Sequence, residues 1–183
     1  MSLPIPQWPD EATPEGVTFF GNARAVVAAW RAHGVGNPFA LGMLAQAEAE
    51  SSIDPGAMGD YYDATGAKLH WMKTYPPGAA PTSFGLYMRK LPRLSAIKAA
   101  TGIDIHAAVL AGTNTIQSEV EAAWWELNTM AWAGKKAIEA AATAYMAAYQ
   151  ACALFERAGA VDAAQRRGTM AERWADYFQK RGF

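Results

Sequence analysis

NPFALGMLAQAEAESSIDP, residues 37–55, decides how the rest of the chain is arranged. Asn37 before Pro38 reads as a helix N-cap with proline at the first helical position, where its missing N–H costs nothing. No breaker follows until Pro55-Gly56, so the pattern predicts a helix from Pro38 to Glu50, roughly 20 Å long. Phe39, Met43, Gln46 and Glu50 share one face, and Leu41, Leu44, Ala45 and Glu48 share the opposite one. A helix apolar on nearly all sides is a central, buried helix. Its last turn carries Glu50, where the negative end of the helix dipole and apolar surroundings would both favour a protonated carboxyl. A glutamate that keeps its proton near neutral pH is what a general acid requires. The plain alternative is a helix-end glutamate turned out to water. Spacing alone does not choose between Glu48 and Glu50.

A chain of 183 residues suits one domain with a real core. With 51% apolar and 18% charged residues it is globular rather than disordered. A net charge of −1 argues against nucleic acid as the main partner, since phosphate binding leaves a basic excess. The single Cys152 rules out an intrachain disulfide framework and reads as a buried structural thiol in a helix. No apolar run is long enough to span a membrane. The opening MSLPIPQWPDEATPEG lacks the basic and then apolar order of a signal peptide. The expectation is a protein made in the cytoplasm, for which export needs another route.

Residues 1–12 are Pro-rich and predict an extended arm with Trp8 docked on a body formed by residues 13–183. Thr13-Pro14-Glu15 opens a helix running to about Ala32, with Phe19, Val26, Ala29 and Trp30 on its apolar side. After the central helix, residues 56–87 are rich in Gly, Pro and aromatics and have no helical period. They read as a loop and small hairpin over the end of the central helix, with strands at Lys68 to Met72 and Ser83 to Tyr87. Loops on a rigid scaffold are where binding residues concentrate. Tyr61, Tyr62, Trp71, Tyr75, Phe84 and Tyr87 are faces on which a sugar ring can stack, two or three of them touching a ligand and the rest closing the hairpin onto the core.

From Arg89 onward the pattern is helical. Arg93 to Thr101 is a short helix ended by Gly102, and Asp104 caps another to about Ala111. Thr115 to about Ala133 is amphipathic through Ile116, Val120, Ala123, Trp124, Leu127 and Met130, with Gly134 past its end. Lys135 to Phe155 follows, with Ile138, Ala142, Tyr145, Tyr149 and Cys152 as its packing seam. The last helix runs from about Val161 to Arg181. Gly168 and Thr169-x-x-Glu172 would allow it to break into two pieces. Arg166, Arg167, Arg173, Lys180 and Arg181 read as a solvated basic face.

Glu50-Ser51-Ser52-Ile53-Asp54-Pro55 at the end of an Ala-rich helix, then Gly59-Asp60 and Ser83-Phe84-Gly85-Leu86-Tyr87, resembles the phage tail lysozyme family. The resemblance implies a mainly α, lysozyme-like domain with a central buried helix and a small β-hairpin, cleaving peptidoglycan glycan strands and associated with other phage tail proteins. It makes Glu50 the catalytic acid rather than Glu48, and places Ser52 and Gln46 by the cleft. Phe155-Glu156-Arg157 also looks like a family signature, with the acid and base tying helices together. One departure stands out. Such proteins carry Gln and then an aromatic or His after Gly-Leu-aromatic, where this chain has Met88-Arg89. Met88 lacks the amide's hydrogen bonds, which implies altered substrate contacts or an inactive relative.

Glycoside cleavage needs a proton donor, and usually a second carboxylate as nucleophile or water-activating base. Asp54, Asp60 and Asp63 all follow Glu50 within a short loop. The resemblance favours Asp60 or Asp63, with Asp60 first because it covers Gly59-Asp60, while Asp54 before Pro55 shapes the turn. A lytic transglycosylase would use Glu50 alone, and a non-catalytic tail or glycan-binding module would keep only the fold. His33, His70 and His106 are far apart and without HExxH or Cys partners, so no metal site is expected. Cys152 lacks a base for thiol catalysis and Ser51 and Ser52 lack a nucleophile elbow. No cofactor is implied.

Overall fold

The computed structural model describes residues 7–69, 76–156 and 161–182. Eight α-helices occur among them. They are α1 (Pro14–Ala32), α2 (Asn37–Ser51), α3 (Leu91–Thr101), α4 (Ile105–Leu110), α5 (Ile116–Thr129), α6 (Trp132–Glu139), α7 (Ala144–Gln150) and α8 (Val161–Gln179). A π-helical segment, Ala151–Glu156, continues α7. Strands β1 (Met58–Gly59), β2 (Ser83–Phe84) and β3 (Arg89–Lys90) form an antiparallel sheet in that order. The expected hairpin is thus three-stranded. Ser83 to Tyr87 is a strand only at its start, and the chain turns at Gly85–Met88 into β3. Lys68 of the other expected strand bridges to Tyr62. His70, Trp71 and Tyr75 lie outside the described residues.

α2 is the shaft of the fold, as its sequence predicts. Every residue from Phe39 to Glu48 is buried, and α1, α7 and α8 pack around it. Its N-cap is Gly36 rather than Asn37, which takes helical conformation beside Pro38. Gly42 lets α7 approach, since a Cβ there would lie 2.9 Å from Ala147 and from the Ala148 nitrogen. α1 begins as predicted, with the Thr13 hydroxyl accepting from Gly16 N. A second, smaller core of Phe84, Leu94, Ile97, Ile105, Val109 and Ala122 joins the sheet to α3, α4 and α5.

Trp8 docks as the sequence predicts. Its ring lies 4.2 Å from that of Trp174, and its Nε1 donates to Glu48 Oε1 at 2.8 Å. Trp174 Nε1 donates to the other Glu48 oxygen at 2.6 Å. Burial pushes the Glu48 carboxyl above its ordinary value, with the two indole donors opposing it. Glu48 therefore ties α2 to the arm and to α8.

Three helical expectations are corrected. Residues 115–133 do not form one helix ending before Gly134; α5 stops at Thr129 and Gly134 lies inside α6, against Leu154. Residues 135–155 split at Thr143, whose hydroxyl accepts from Met146 N and caps α7. Of the predicted seam Ile138 and Cys152 are buried and Tyr145 and Tyr149 half-buried, but Ala142 is exposed and the stripe on α7 runs through Ala144, Ala147, Ala148, Ala151 and Phe155. α8 does not break at Gly168, because the Tyr145 ring fills the space a Cβ would need there.

Candidate active site

Glu50 ends α2 with its side chain 24% exposed, and the chain turns sharply behind it. Ser52 and Ile53 are both left-handed, with φ of 55° and 62°, and Ile53 is fully buried. A β-branched residue in that region is strained and persists only where its surroundings hold it. Asn22 Nδ2 of α1 supplies such a hold, donating to the Ile53 carbonyl at 2.8 Å. Asp54 Oδ1 accepts from Gly56 N at 2.8 Å, so Asp54 shapes the turn.

The apolar setting expected around Glu50 is not what the structure has. Arg167 of α8 donates to Glu50 Oε1 and, at 2.9 Å, to Cys152 Sγ. Arg167 is only 8% exposed, so it belongs to the interior and not to the solvated basic face. Arg173 also leaves that face, lying 4.3 Å over the Trp8 ring, whereas Arg181, 3.7 Å over the Tyr177 ring and paired with Glu11, stays exposed as expected. Cys152 is the buried, unpaired thiol the sequence predicts. Burial raises its pKa and Arg167 opposes that.

A ladder of alternating charge runs from the loop after α2 through the sheet. Asn114 Nδ2 donates to the Pro55 carbonyl at 2.7 Å and to Glu119 Oε1 at 2.6 Å. Arg89 NH1 donates to Glu119 Oε2 at 2.5 Å and Arg89 Nε to Glu126 Oε2 at 2.7 Å. Arg93 Nε meets the other Glu126 oxygen, and its NH1 lies 3.8 Å from Glu156 Oε2. Arg89 is 1% exposed. Its two carboxylate neighbours outweigh desolvation and hold its pKa above the ordinary value. Glu119 is pushed up by burial despite Arg89 and Asn114. Gly85 makes this possible: its φ is +82°, and a Cβ there would lie 1.9 Å from Glu119 Oε1. Met88 has a φ of +45°, and its methyl covers Gly59. The Met88-Arg89 departure therefore serves packing and the buried ladder.

The other sequence-predicted residues divide into accessible and enclosed. Ser52 is exposed, and Tyr61 and Tyr62 are half-buried on the loop. Asp60, with φ of 50°, pairs through Oδ1 with Lys68 Nζ at 2.6 Å and keeps 30% of its side chain exposed. Asp63 Oδ1 accepts from Thr65 N, Thr65 Oγ1 and Ala67 N, bonds that lower its pKa and commit that oxygen to the turn.

Three cleft assignments are corrected by burial. Gln46 is fully buried and donates to the Ala148 carbonyl at 2.9 Å, because its helical position faces α7. Phe84 is 2% exposed in the small core. Tyr87 is fully enclosed, its hydroxyl accepting from Trp30 Nε1 at 3.0 Å, and burial raises its pKa. An apolar groove of about 330 Å³ lined by Val27, Pro38, Leu41 and Phe178 opens at the other end of α2, roughly 20 Å from Glu50.

The sequence reading missed Arg167, Glu119, Glu126 and Arg93. Glu119 and Glu126 sit seven residues apart on the same α5 side as Val120, Ala123 and Leu127, a spacing that marks buried acids needing partners. Arg157 lies outside the described residues. His33 stacks on Trp124 at 4.7 Å and His106 meets Phe84 at 4.5 Å, both ordinary half-buried histidines. Among the described residues no group of three His, Cys, Asp or Glu could hold a metal ion.

The model of the phage tail lysozyme family matches residues 21–178, nearly the whole helical body and all of this site. The chain belongs to the phage tail lysozyme family. That places it among lysozyme-like, phage-associated proteins that act on peptidoglycan. No curated protein matches it, and no solved structure does. Among the described residues no helix of this phage tail lysozyme is long and apolar enough to cross a membrane.

Proposed function

We propose that this phage tail lysozyme cleaves the β-1,4 glycan strand of peptidoglycan with Glu50 as general acid. The observation that carries the reading is the placement of Glu50. It is a partly open carboxyl at the end of the buried α2, held by Arg167 and lying within the stretch that the family model covers. Glu50 protonates the leaving glycosidic oxygen, and Asp60 stabilises the cationic transition state or orients water. Ser52, Tyr61 and Tyr62 are the accessible residues that contact the sugars. Gln46, Phe84 and Tyr87 support them from behind, and Asp63 shapes the loop. The protein acts at the cell wall as part of a phage or prophage tail, needs no cofactor, and does not have nucleic acid as a partner.

A second reading, a lytic transglycosylase using Glu50 alone, is favoured by the state of the two aspartates. Asp60 is paired with Lys68, and one Asp63 oxygen is committed to its own turn. Digestion of purified peptidoglycan by the wild type and Glu50→Gln, read by mass spectrometry, separates the readings. Reducing ends from the wild type and none from the variant are expected. 1,6-anhydro ends would move the assignment to the transglycosylase. An active Glu50→Gln would overturn both, and an inactive wild type would leave a tail-structural or glycan-binding module.

A further inference from the structure

Glu156 is a buried acid for which the proposed reaction has so far given no use. It closes the π-helical segment four residues after Cys152, with its side chain 7% exposed. Its Oε1 is buried without a hydrogen-bond partner, and its Oε2 only approaches Arg93, at 3.8 Å. A carboxylate left this way is costly, whereas a carboxylic acid is tolerated. Charge matching agrees. Among the described residues of the cluster, Arg89, Arg93 and Arg167 face four carboxyls, Glu50, Glu119, Glu126 and Glu156. Glu119 and Glu126 are taken by Arg89 and Arg93, and Glu50 by Arg167. Glu156 shares Arg93 with Glu126 and is the carboxyl left in excess.

We propose that Glu156 stores the proton that Glu50 delivers, the two carboxyls sharing one proton beside Arg167. This rests on the reading of Glu50 as general acid. Glu50 pairs with Arg167, and a general acid needs a proton. The Glu156 O–H gives its proton to Glu50, directly or through one water. The negative charge left on Glu156 is met by Arg93 and Arg167. Glu50 then passes the proton to the glycosidic oxygen as the C–O bond breaks, and the water that supplies the new hydroxyl returns a proton to the pair. A cavity of about 140 Å³ lined by Arg93, Glu126, Met130, Ala131, Phe155 and Glu156 gives water access to the store.

The charged and titratable groups facing Glu156 support this. Burial first, and the Glu50 charge after it, push its carboxyl up to about 7 against the opposing charges of Arg93, Arg89 and Arg167. The thiol of Cys152 and the hydroxyl of Tyr87 also feel the Glu156 charge. Glu156 is a positioning residue for the proton, since its enclosed side chain does not touch substrate.

The test is a carboxyl 13C NMR titration of the full chain in wild type and Glu50→Gln, with pH–rate profiles of peptidoglycan digestion for wild type and Glu156→Gln. In the wild type the Glu156 carboxyl signal should move near neutrality. In Glu50→Gln the Glu156 midpoint should fall by roughly one pH unit as the neighbouring charge is removed. In Glu156→Gln the alkaline limb should move to lower pH by roughly one unit or more, whereas a merely structural role would lower the rate at every pH without moving the limb. A Glu156 signal that titrates at an ordinary carboxyl value and ignores Glu50, or an unmoved limb, overturns the proposal. A wild type that cleaves nothing, or an active Glu50→Gln, overturns the functional reading and the delivery step with it. The titration decides proton sharing separately.

Discussion

Arg89→Met removes the guanidinium at the middle of the buried ladder while keeping most of the side chain's volume. Its Nε and NH1 lose bonds of 2.7 and 2.5 Å to Glu126 and Glu119, and NH2 loses a longer one to the Glu119 carbonyl. Breaking one side of a buried ion pair costs about 3–5 kcal/mol, because the partner charges stay buried. Glu126 keeps Arg93 and Glu119 keeps Asn114, so the loss should lie at the lower end, about 3 kcal/mol. For a chain of this size that is a fall in Tm of roughly 6–12 °C, read by calorimetry at neutral pH. Adding Glu119→Gln should recover about half of it, since one uncompensated charge is then gone. Peptidoglycan cleavage per folded molecule should persist well below the transition. A Tm change under about 2 °C would refute the reasoning, because Arg89 would then not be holding the two carboxylates. Lost cleavage with Tm intact would instead put Arg89 in the cleft.

Gly85→Ala should be more damaging than Arg89→Met, because it adds a strained positive φ to a Cβ 1.9 Å from Glu119; soluble yield and Tm measure it, and near-wild-type values would sink the explanation. Trp8→Phe keeps the stacking on Trp174 but leaves Glu48 Oε1 without its donor, costing about 1–3 kcal/mol; an unchanged denaturation midpoint would show that the arm is not anchored by that bond. Glu156 makes stability depend on pH. Its folded value of about 7 lies above the ordinary 4.5, so the native state binds more proton between them and stability falls as pH rises through that window. Wild type should therefore lose roughly 3 kcal/mol relative to Glu156→Gln across it. A difference that stays constant over the window would mean that Glu156 titrates alike in both states.

What could be read from sequence was the part governed by local pattern. The unbroken run from Pro38, the Thr13 and Asp104 caps and the Gly102 stop are nearest-neighbour physics, whereas the Thr143 cap was hidden by the Ala-rich continuity around it. The docked Trp8 was legible because an indole in a Pro-rich arm needs an apolar surface. The environment of Glu50 was not. Arg167 is 117 residues away in the chain, and nothing about a basic stretch in α8 says that one arginine points inward. Gln46, Phe84 and Tyr87 were misplaced for a related reason. A polar or aromatic residue near a catalytic motif reads the same whether it lines the cleft or closes the core behind it. For Gln46 the missing fact was that α7 approaches α2 through Gly42.

The π-helical segment at Ala151–Glu156 sets the phase of everything after α7. A π-turn amounts to one residue inserted into an α-helical frame, and each α-helical residue advances the side chain by about 100° around the axis. Upstream of the insertion, α7 directs Ala144, Ala147 and Ala148 at α2; downstream, Phe155 still faces the core and Glu156 reaches Arg93. Deleting a single exposed residue such as Ala153 would remove the insertion and leave a regular α-helix with Phe155 and Glu156 still in phase with α7. The same deletion inside α7 would turn every later side chain by about 100° and part Glu156 from Arg93. A length variant of this protein lacking one residue would therefore keep its interior wiring only if the loss fell in the π-helical segment.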